Sequence, residues 1–242
     1  MKNLKSFIYF FMVAVVTASA QSCMTDIRGI KGSGNVVTQN RDIAEDFTRV
    51  EVSNGLEVTI EQSNAKAVIV EADDNMQAHI TTKVEGGTLK ISSDYNSFTN
   101  VTKKVTVRMP IIKGLEASGG STLRSGNKLT GDEISISASS GSEINVSVEA
   151  EKILCEASSG SHLTASGKAL SLETSSSSGS GIDASKLLAN DVHAQSSSGS
   201  STDVHAIVSL DAKASSGSSI DYTGNPKQLQ RDENSGGGIS GK

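Results

Sequence analysis

Tryptophan is absent from this sequence, and aromatic residues make up only 3% of its 242 positions. The core must therefore be built from isoleucine, valine, leucine and alanine, because large aromatic side chains are too few to dominate it. The same shortage weakens a prediction of carbohydrate binding, which normally uses aromatic rings as platforms for sugars. Hydrophobic residues still make up 36% of the chain, enough for one domain or two small ones.

Several other classes of protein are disfavoured by what the sequence has little of. Two cysteines, Cys23 and Cys155, do not indicate a disulfide framework. The formal charge of −5, without a basic patch, argues against a nucleic-acid partner, because such proteins neutralise phosphates with lysine and arginine. No phosphate loop, dinucleotide fingerprint or HExxH motif occurs. We therefore predict a protein that is not an enzyme and has no catalytic residues, metal or cofactor.

The first twenty residues have the organisation of an export signal. Lys2 and Lys5 precede an apolar run of about ten residues, and small residues follow it. This run is too short to span a bilayer, which needs ~20 residues, and no later segment is apolar enough. Cleavage after Ala20 would remove residues 1–20. The alternative is a relaxed lipoprotein box that ends at Cys23, in which residues 1–22 are removed and Cys23 is lipidated.

The strongest pattern is an internal repeat of a serine-rich unit, written ASSGS at residues 138–142 and 157–161. Successive units place their glycine 18 to 21 residues apart. The glycines of six units are predicted to form bends. These bend glycines are Gly120, Gly141, Gly160, Gly179, Gly199 and Gly217.

The flanks of the unit repeat as well, and their spacing predicts β-strands. Ile153, Cys155, Ala157 and Leu163 represent mostly apolar columns that recur at even offsets in each unit. Residues two apart lie on one face of a strand, and the positions between them are polar. Cys155 is therefore predicted to be a buried small side chain and not a nucleophile.

A unit this short cannot bury its apolar face alone, whereas stacked units share a continuous core. We predict an all-β fold, a right-handed parallel β-helix or β-solenoid with coils of about 19 residues. In this fold the glycines permit either a positive φ or a close backbone approach, and the serines hydrogen-bond along the stack or to the bend. The alternative is a disordered serine–glycine linker, but a linker does not keep an apolar register across five copies.

The chain is predicted to have two continuous parts after the leader. Residues 30–112 alternate apolar and polar positions less regularly and form an N-terminal β-region. Residues 113–240 form the repeat solenoid, and the boundary falls near Pro110.

One column of acidic residues is a candidate ligand site. Asp183, Asp203 and Asp221 follow the same inward position in three successive coils. Stacked ~4.8 Å apart, they could bind Ca²⁺ or a polyhydroxylated ligand. The alternative, a solvated outer face, is favoured because earlier coils have Asn145 and Thr164 in this column.

The sequence also resembles a known family through a series of short segments. These are GSGNVV, RVEVSNGLEVTIEQ, VEGGTLKI and VTVRMP, then serial ASSGS or ASGGS units and YTGNPK. Together they resemble the family described as "putative auto-transporter adhesin, head GIN domain", common in Bacteroidetes, over about residues 30 to 240. The resemblance implies a β-helix and an adhesin role, and it supplies no catalytic residues.

We therefore predict a non-enzymatic protein of the cell envelope that binds an unidentified surface ligand, either protein or glycan. It would lie in the periplasm, or at the outer membrane or cell surface with a lipid on Cys23 as its only membrane contact. Two alternatives remain open. One is a polysaccharide-acting enzyme built on a β-helix, and the other is a scaffold that self-associates as a homo-oligomer through its solenoid ends.

Overall fold

The computed structural model describes residues 29–242, so the predicted export signal and Cys23 lie outside the described residues. The chain is 66% strand and forms a stacked parallel β-solenoid of about seven turns with about 19 residues each. The predicted all-β solenoid is thereby confirmed. Between residues 29 and 242, no helix has the length and hydrophobicity needed to cross a bilayer.

The repeat region forms the regular part of the solenoid. From residue 114 to 242, every strand pairing within the described structure is parallel. The strands of this region are β10 (Gly114–Ala117), β11 (Thr122–Ser125), β12 (Leu129–Ala138), β13 (Glu143–Ala157), β14 (His162–Ser176), β15 (Gly181–Ser196), β16 (Ser201–Ala214), β17 (Ser219–Thr223), β18 (Gln228–Glu233) and β19 (Gly238–Gly241).

The N-terminal region continues the same sheet with mixed pairing. Its strands are β1 (Gly29–Lys31), β2 (Val36–Arg41), β3 (Arg49–Val52), β4 (Glu57–Gln62), β5 (Ala67–Asp73), β6 (Ile80–Glu85), β7 (Thr88–Ser93), β8 (Ser97–Thr99) and β9 (Lys103–Met109), with one 3-10 turn at Gln77–His79. Strands β3 and β4 pair in parallel with β10 and β11. Strands β2, β5, β6, β7 and β9 add the antiparallel pairs. One sheet of 17 strands therefore crosses the predicted boundary near Pro110.

Each regular coil has two halves, and β13 shows how they are arranged. Ile144, Val146 and Val148 are buried before residue 150, and Ile153 and Cys155 are buried after it. The inward positions thus change from even to odd numbers, because the chain rounds a corner at residues 149–151. We call the stack of these corners the corner edge. At the opposite end of each coil, a tight turn leads into the next coil, and we call the stack of these turns the turn edge.

The turn edge is made of serine–glycine pairs with positive φ. In the turn 139–142, Ser140 has φ 52° and Gly141 has φ 70°. The Ser142 N–H donates to the Ser139 carbonyl at 3.1 Å, which is the pattern of a type I′ turn. All six predicted bend glycines have φ between 69° and 71°. A close backbone approach is absent there, since a Cβ added to Gly160 would meet nothing within 4 Å.

Hydrogen bonds join each turn to the coils above and below it. The Ser161 hydroxyl donates to the Ala138 carbonyl at 2.8 Å and accepts from the Ser158 N–H at 3.1 Å. The Gly160 N–H donates to the Ser178 carbonyl of the next turn at 3.1 Å. Four other buried serines repeat the hydroxyl bond to the preceding coil. They are Ser142, Ser180, Ser200 and Ser218. The turn serines therefore fix the register between coils.

The core between the two halves is narrow and almost entirely aliphatic. Cys155 is fully buried, and burial raises the pKa of its thiol to about 12, so it is neutral at physiological pH. One polar cluster interrupts the core at the turn side. The hydroxyls of Ser176, Ser196 and Thr202 lie 2.6 to 3.5 Å from one another. They satisfy each other's hydrogen bonds, which offsets the cost of placing polar groups where other coils have alanine or isoleucine.

The GSGN segment at residues 32–35 has a structural role in the N-terminal region. Asp73 is 1% exposed, and its carboxylate accepts from the N–H groups of Gly34 at 2.6 Å and Thr102 at 2.7 Å. The Ser33 hydroxyl donates to Asp74 at 2.6 Å. Hydrogen bonds to a buried carboxylate are among the stronger ones in proteins. This motif therefore ties the start of the described chain to the loop after β5.

The structure predicts that two glycines of adjacent coils differ in their sensitivity to alanine. Gly160→Ala should cost about 1–2 kcal/mol, because it adds only left-handed backbone strain. Gly167→Ala should cost more, because Gly167 has φ 126° and its Cβ would lie 2.0 Å from the Val148 carbonyl oxygen. Urea unfolding of both variants measures the difference. Equal losses in free energy of unfolding would contradict the distinct roles of the two glycines.

Candidate functional site

A groove of about 870 Å³ runs along the corner edge. It crosses strands β12 to β16 and therefore lies along the stacking direction of the coils, across the strands. The groove is lined by Thr130, Gly131, Asp132, Glu149, Ala150, Glu151, Lys168, Ala169, Leu170, Leu188, Asn190 and Ile207.

The groove exists because small residues occupy the corner in successive coils. Strand registers align one such residue from each of the five strands β12 to β16. In order, they are Gly131, Ala150, Ala169, Ala189 and Ala206. Their short side chains leave a depression between the outward side chains on either side. Packing of large side chains at this column would fill it.

Differences in coil length are also concentrated near the corner. Strand β15 has three residues, 185–187, between positions whose partners in β16 are the adjacent Val204 and His205. Past the corner, β16 has two residues, 207–208, where β15 has only Asn190. These bulges account for coils of 20 and 18 residues beside coils of 19. The turn edge keeps its register, so the corner absorbs the variation.

The corner also exposes large apolar side chains. Leu170 is 57% exposed, and Leu188, Ile207 and Val208 are 37%, 44% and 42% exposed. Single exposed hydrophobic residues are common, but these lie in adjacent coils along one groove. They form the apolar row of the corner edge, a feature typical of an interaction surface.

The two sides of the groove carry mainly negative charge. Asp132, Glu149 and Glu151 line it, together with a single cation, Lys168. Glu149 is paired with Lys128 at 3.1 Å. Within residues 29–242, no ion pair involves Asp132 or Glu151. The groove thus combines an apolar row with free carboxylates.

The sequence prediction did not identify this groove. The information was present in Leu170, Leu188 and Ile207, which are apolar but fall between the inward positions of their coils. The departure of two coils from a 19-residue period was a second signal. Neither signal could be assigned to a site before the position of the corner in each coil was known.

The predicted aspartate column is a straight ladder in the structure. Asp203 is the register partner of both Asp183 and Asp221. Lys242 lies across the ladder, with its Nζ 2.6 Å from the Asp203 carboxylate and 3.1 Å from that of Asp221. Across residues 29–242, no group of three or more His, Cys, Asp and Glu side chains is placed to hold a metal ion. The ladder as a ligand site stays a prediction.

Hydrogen bonds lower the pKa of two ladder carboxyls. For Asp183, burial alone would raise the pKa, but the hydroxyl and N–H of Ser185, at 2.6 and 3.0 Å, outweigh burial and lower it. For Asp221, the hydrogen bond from Ser240 lowers the pKa most, and Lys242 adds to this effect. Both carboxyls are therefore ionised at neutral pH.

The fold places the chain among the parallel β-solenoid proteins. The chain belongs to the family described as "Putative auto-transporter adhesin, head GIN domain", whose model matches residues 46–226. The match confirms the resemblance found in the sequence. A search of curated proteins gave no match.

Solved structures share this fold over most of the chain. A structure described as a putative adhesin from Bacteroides fragilis has a TM-score of 0.81 at 23% identity, covering 88% of this chain and 100% of that chain. One described as a putative lipid binding protein from Parabacteroides distasonis has a TM-score of 0.72 at 20% identity, covering 89% and 100%. A putative adhesin from Parabacteroides merdae has a TM-score of 0.69 at 19% identity, covering 88% and 99%. At these identities the likeness shows the fold alone.

The lowered pKa values predict the acid titration of the ladder. Carboxyl-carbon NMR should give midpoints for Asp183 and Asp221 below the ordinary 3.8. Because the folded pKa is depressed, the stabilisation is present above the unfolded value and is lost as the pH falls through the folded value. Ser185→Ala should raise the midpoint of Asp183 and leave that of Asp221 in place. A wild-type midpoint at or above 3.8 would contradict this account.

Proposed function

We propose that the protein is a non-enzymatic binding scaffold of the cell envelope, of the adhesin type, and that it contacts its ligand through the groove of the corner edge. Membership of the adhesin family supports the class. The observation that carries the proposal is the apolar row, in which Leu170, Leu188 and Ile207 remain exposed although the solenoid core is otherwise well covered.

A rigid solenoid suits this role because its surface is preorganised. The turn serines hold the coils in register, so side chains along the corner edge keep fixed spacings. Binding to such a surface avoids the entropic cost of ordering a flexible loop. The row is interrupted by polar residues, as expected for a surface that must remain soluble when its ligand is absent.

Export completes the proposal. Residues 1–20 would direct the chain out of the cytoplasm, and Cys23 would anchor it if it is lipidated. A lipid at Cys23 would leave the solenoid free in solution, because six residues separate Cys23 from the first described strand. Ligand binding through the corner edge does not depend on whether this anchor is present.

Removing the apolar row should weaken binding without unfolding the protein. The double variant Leu170→Ser/Leu188→Ser removes two exposed side chains of the groove, and Val36→Ser removes one of similar exposure far along the chain on β2. Purified proteins are measured by surface plasmon resonance against an array of immobilised polypeptides and glycans at physiological salt. We expect wild type to bind a component of the array, the double variant to lose about tenfold or more in affinity, and the control to bind like wild type.

Two results would contradict the proposal. If wild type bound nothing on the array, the role as a binding scaffold would be wrong. If the double variant bound as tightly as wild type, the groove would not be the contact surface. Thermal unfolding of all three proteins, followed by circular dichroism, checks that the substitutions leave the solenoid folded.

A further inference from the structure

We infer that the groove of the corner edge takes a cationic amphipathic polypeptide segment, bound as a helix along the solenoid axis. This inference rests on the proposed function and specifies its ligand. Three features of the groove carry it: the balance of charge, the direction in which it runs, and the state of the backbone at its floor.

The charge of the groove selects a cationic ligand. Asp132, Glu149 and Glu151 face one Lys168, so carboxylates outnumber cations along the lining. Glu149 already contacts Lys128, whereas Asp132 and Glu151 have no ion pair among residues 29–242. Both are exposed at the corner. Lysine or arginine side chains of a partner would find these carboxylates without displacing an existing ion pair, and complementary charge also speeds association.

The apolar row selects an amphipathic ligand. Leu170, Leu188 and Ile207 stand beside the small corner residues and offer contact area that only apolar side chains can use. An ion alone would gain nothing from them. An anionic lipid headgroup would be repelled by the carboxylates of the groove. A segment with apolar residues on one side and basic residues beside them satisfies both features.

The direction of the groove favours a helix over an added strand. The corner residues are already paired to the coils on both sides, as Ala169 is with Ala150 and Ala189. No free strand edge is therefore available there for a peptide to extend the sheet. The groove spans four coil steps of ~4.8 Å, or ~19 Å, from Gly131 to Ala206. A helix of about 13 residues has this length, and its turns of ~5.4 Å are close to the coil spacing.

The inference is tested with two synthetic peptides of 14 residues, both with leucines on one helical face. One has lysine at its remaining positions and the other has glutamate. Isothermal titration calorimetry with the purified protein should show binding of the lysine peptide, and binding of the glutamate peptide at least about tenfold weaker. Raising the salt from low to high concentration should weaken the lysine peptide, because exposed charges are screened.

A matched pair of variants assigns the charge effect to the groove. Asp132→Asn/Glu151→Gln should weaken the lysine peptide several-fold. Asp42→Asn/Glu45→Gln makes the same change in net charge at exposed positions before β3 and should bind like wild type. The inference is overturned if the two double variants bind alike, if the glutamate peptide binds as well as the lysine peptide, or if neither peptide binds.

A vesicle arm separates a polypeptide ligand from a lipid one. Phosphatidylcholine vesicles should neither bind the protein nor compete with the lysine peptide. Vesicle binding that Leu170→Ser/Leu188→Ser abolishes would overturn the polypeptide ligand in favour of a lipid surface. If the lysine peptide fails to bind while the same leucine variant still loses its array ligand, the groove remains the binding surface and only the ligand class is wrong.

Discussion

The fold depends on one hydrogen bond that recurs at the turn edge. In each turn, a buried serine hydroxyl donates to a carbonyl of the preceding coil, as Ser161 does to Ala138 at 2.8 Å. The same hydroxyl accepts from an N–H of its own turn, so it fixes both the turn and its height in the stack. Because every coil repeats this bond with a serine–glycine pair at positive φ, the alternating apolar residues reach the core in the same register. The narrow core follows, since the small side chains beside the turn let the two halves of a coil approach closely.

A fixed edge leaves the opposite edge free to vary, and this division of labour links the fold to the proposed function. Coils of 18 and 20 residues differ near the corner, where bulges in β15 and β16 take up the extra residues. These bulges bring Ile207 and Val208 to the surface beside Leu188. A corner that carries little of the register can change its outward side chains at low cost in stability. Loops and corners on a rigid frame are where binding residues are most often found.

The sequence predicted the solenoid well because its signals were periodic. Ile153, Cys155 and Ala157 show the strand register, and the repeated glycines show the turns. The N-terminal antiparallel strands were less clear, since β5 and β9 pair over a long range that no local pattern specifies. The groove could not be found from the sequence, because it depends on which residues reach the corner, and the change from even to odd inward positions occurs within β13 without a glycine or proline to mark it. The aspartate ladder was found because its residues keep a common offset from the turns, but its contact with Lys242 required the structure.

The central claim, that the turn edge fixes the register and the corner edge tolerates change, is tested most directly by inserting one alanine at each edge of the same coil. One insertion follows Ser159 in the turn, and the other follows Ala150 at the corner. Free energies of unfolding are measured in urea, with circular dichroism as the signal. We expect the corner insertion to leave a cooperative transition close to that of wild type, and the turn insertion to lose several kcal/mol or the transition itself, since it breaks the serine and glycine bonds to both neighbouring coils. Equal losses from the two insertions would contradict the claim.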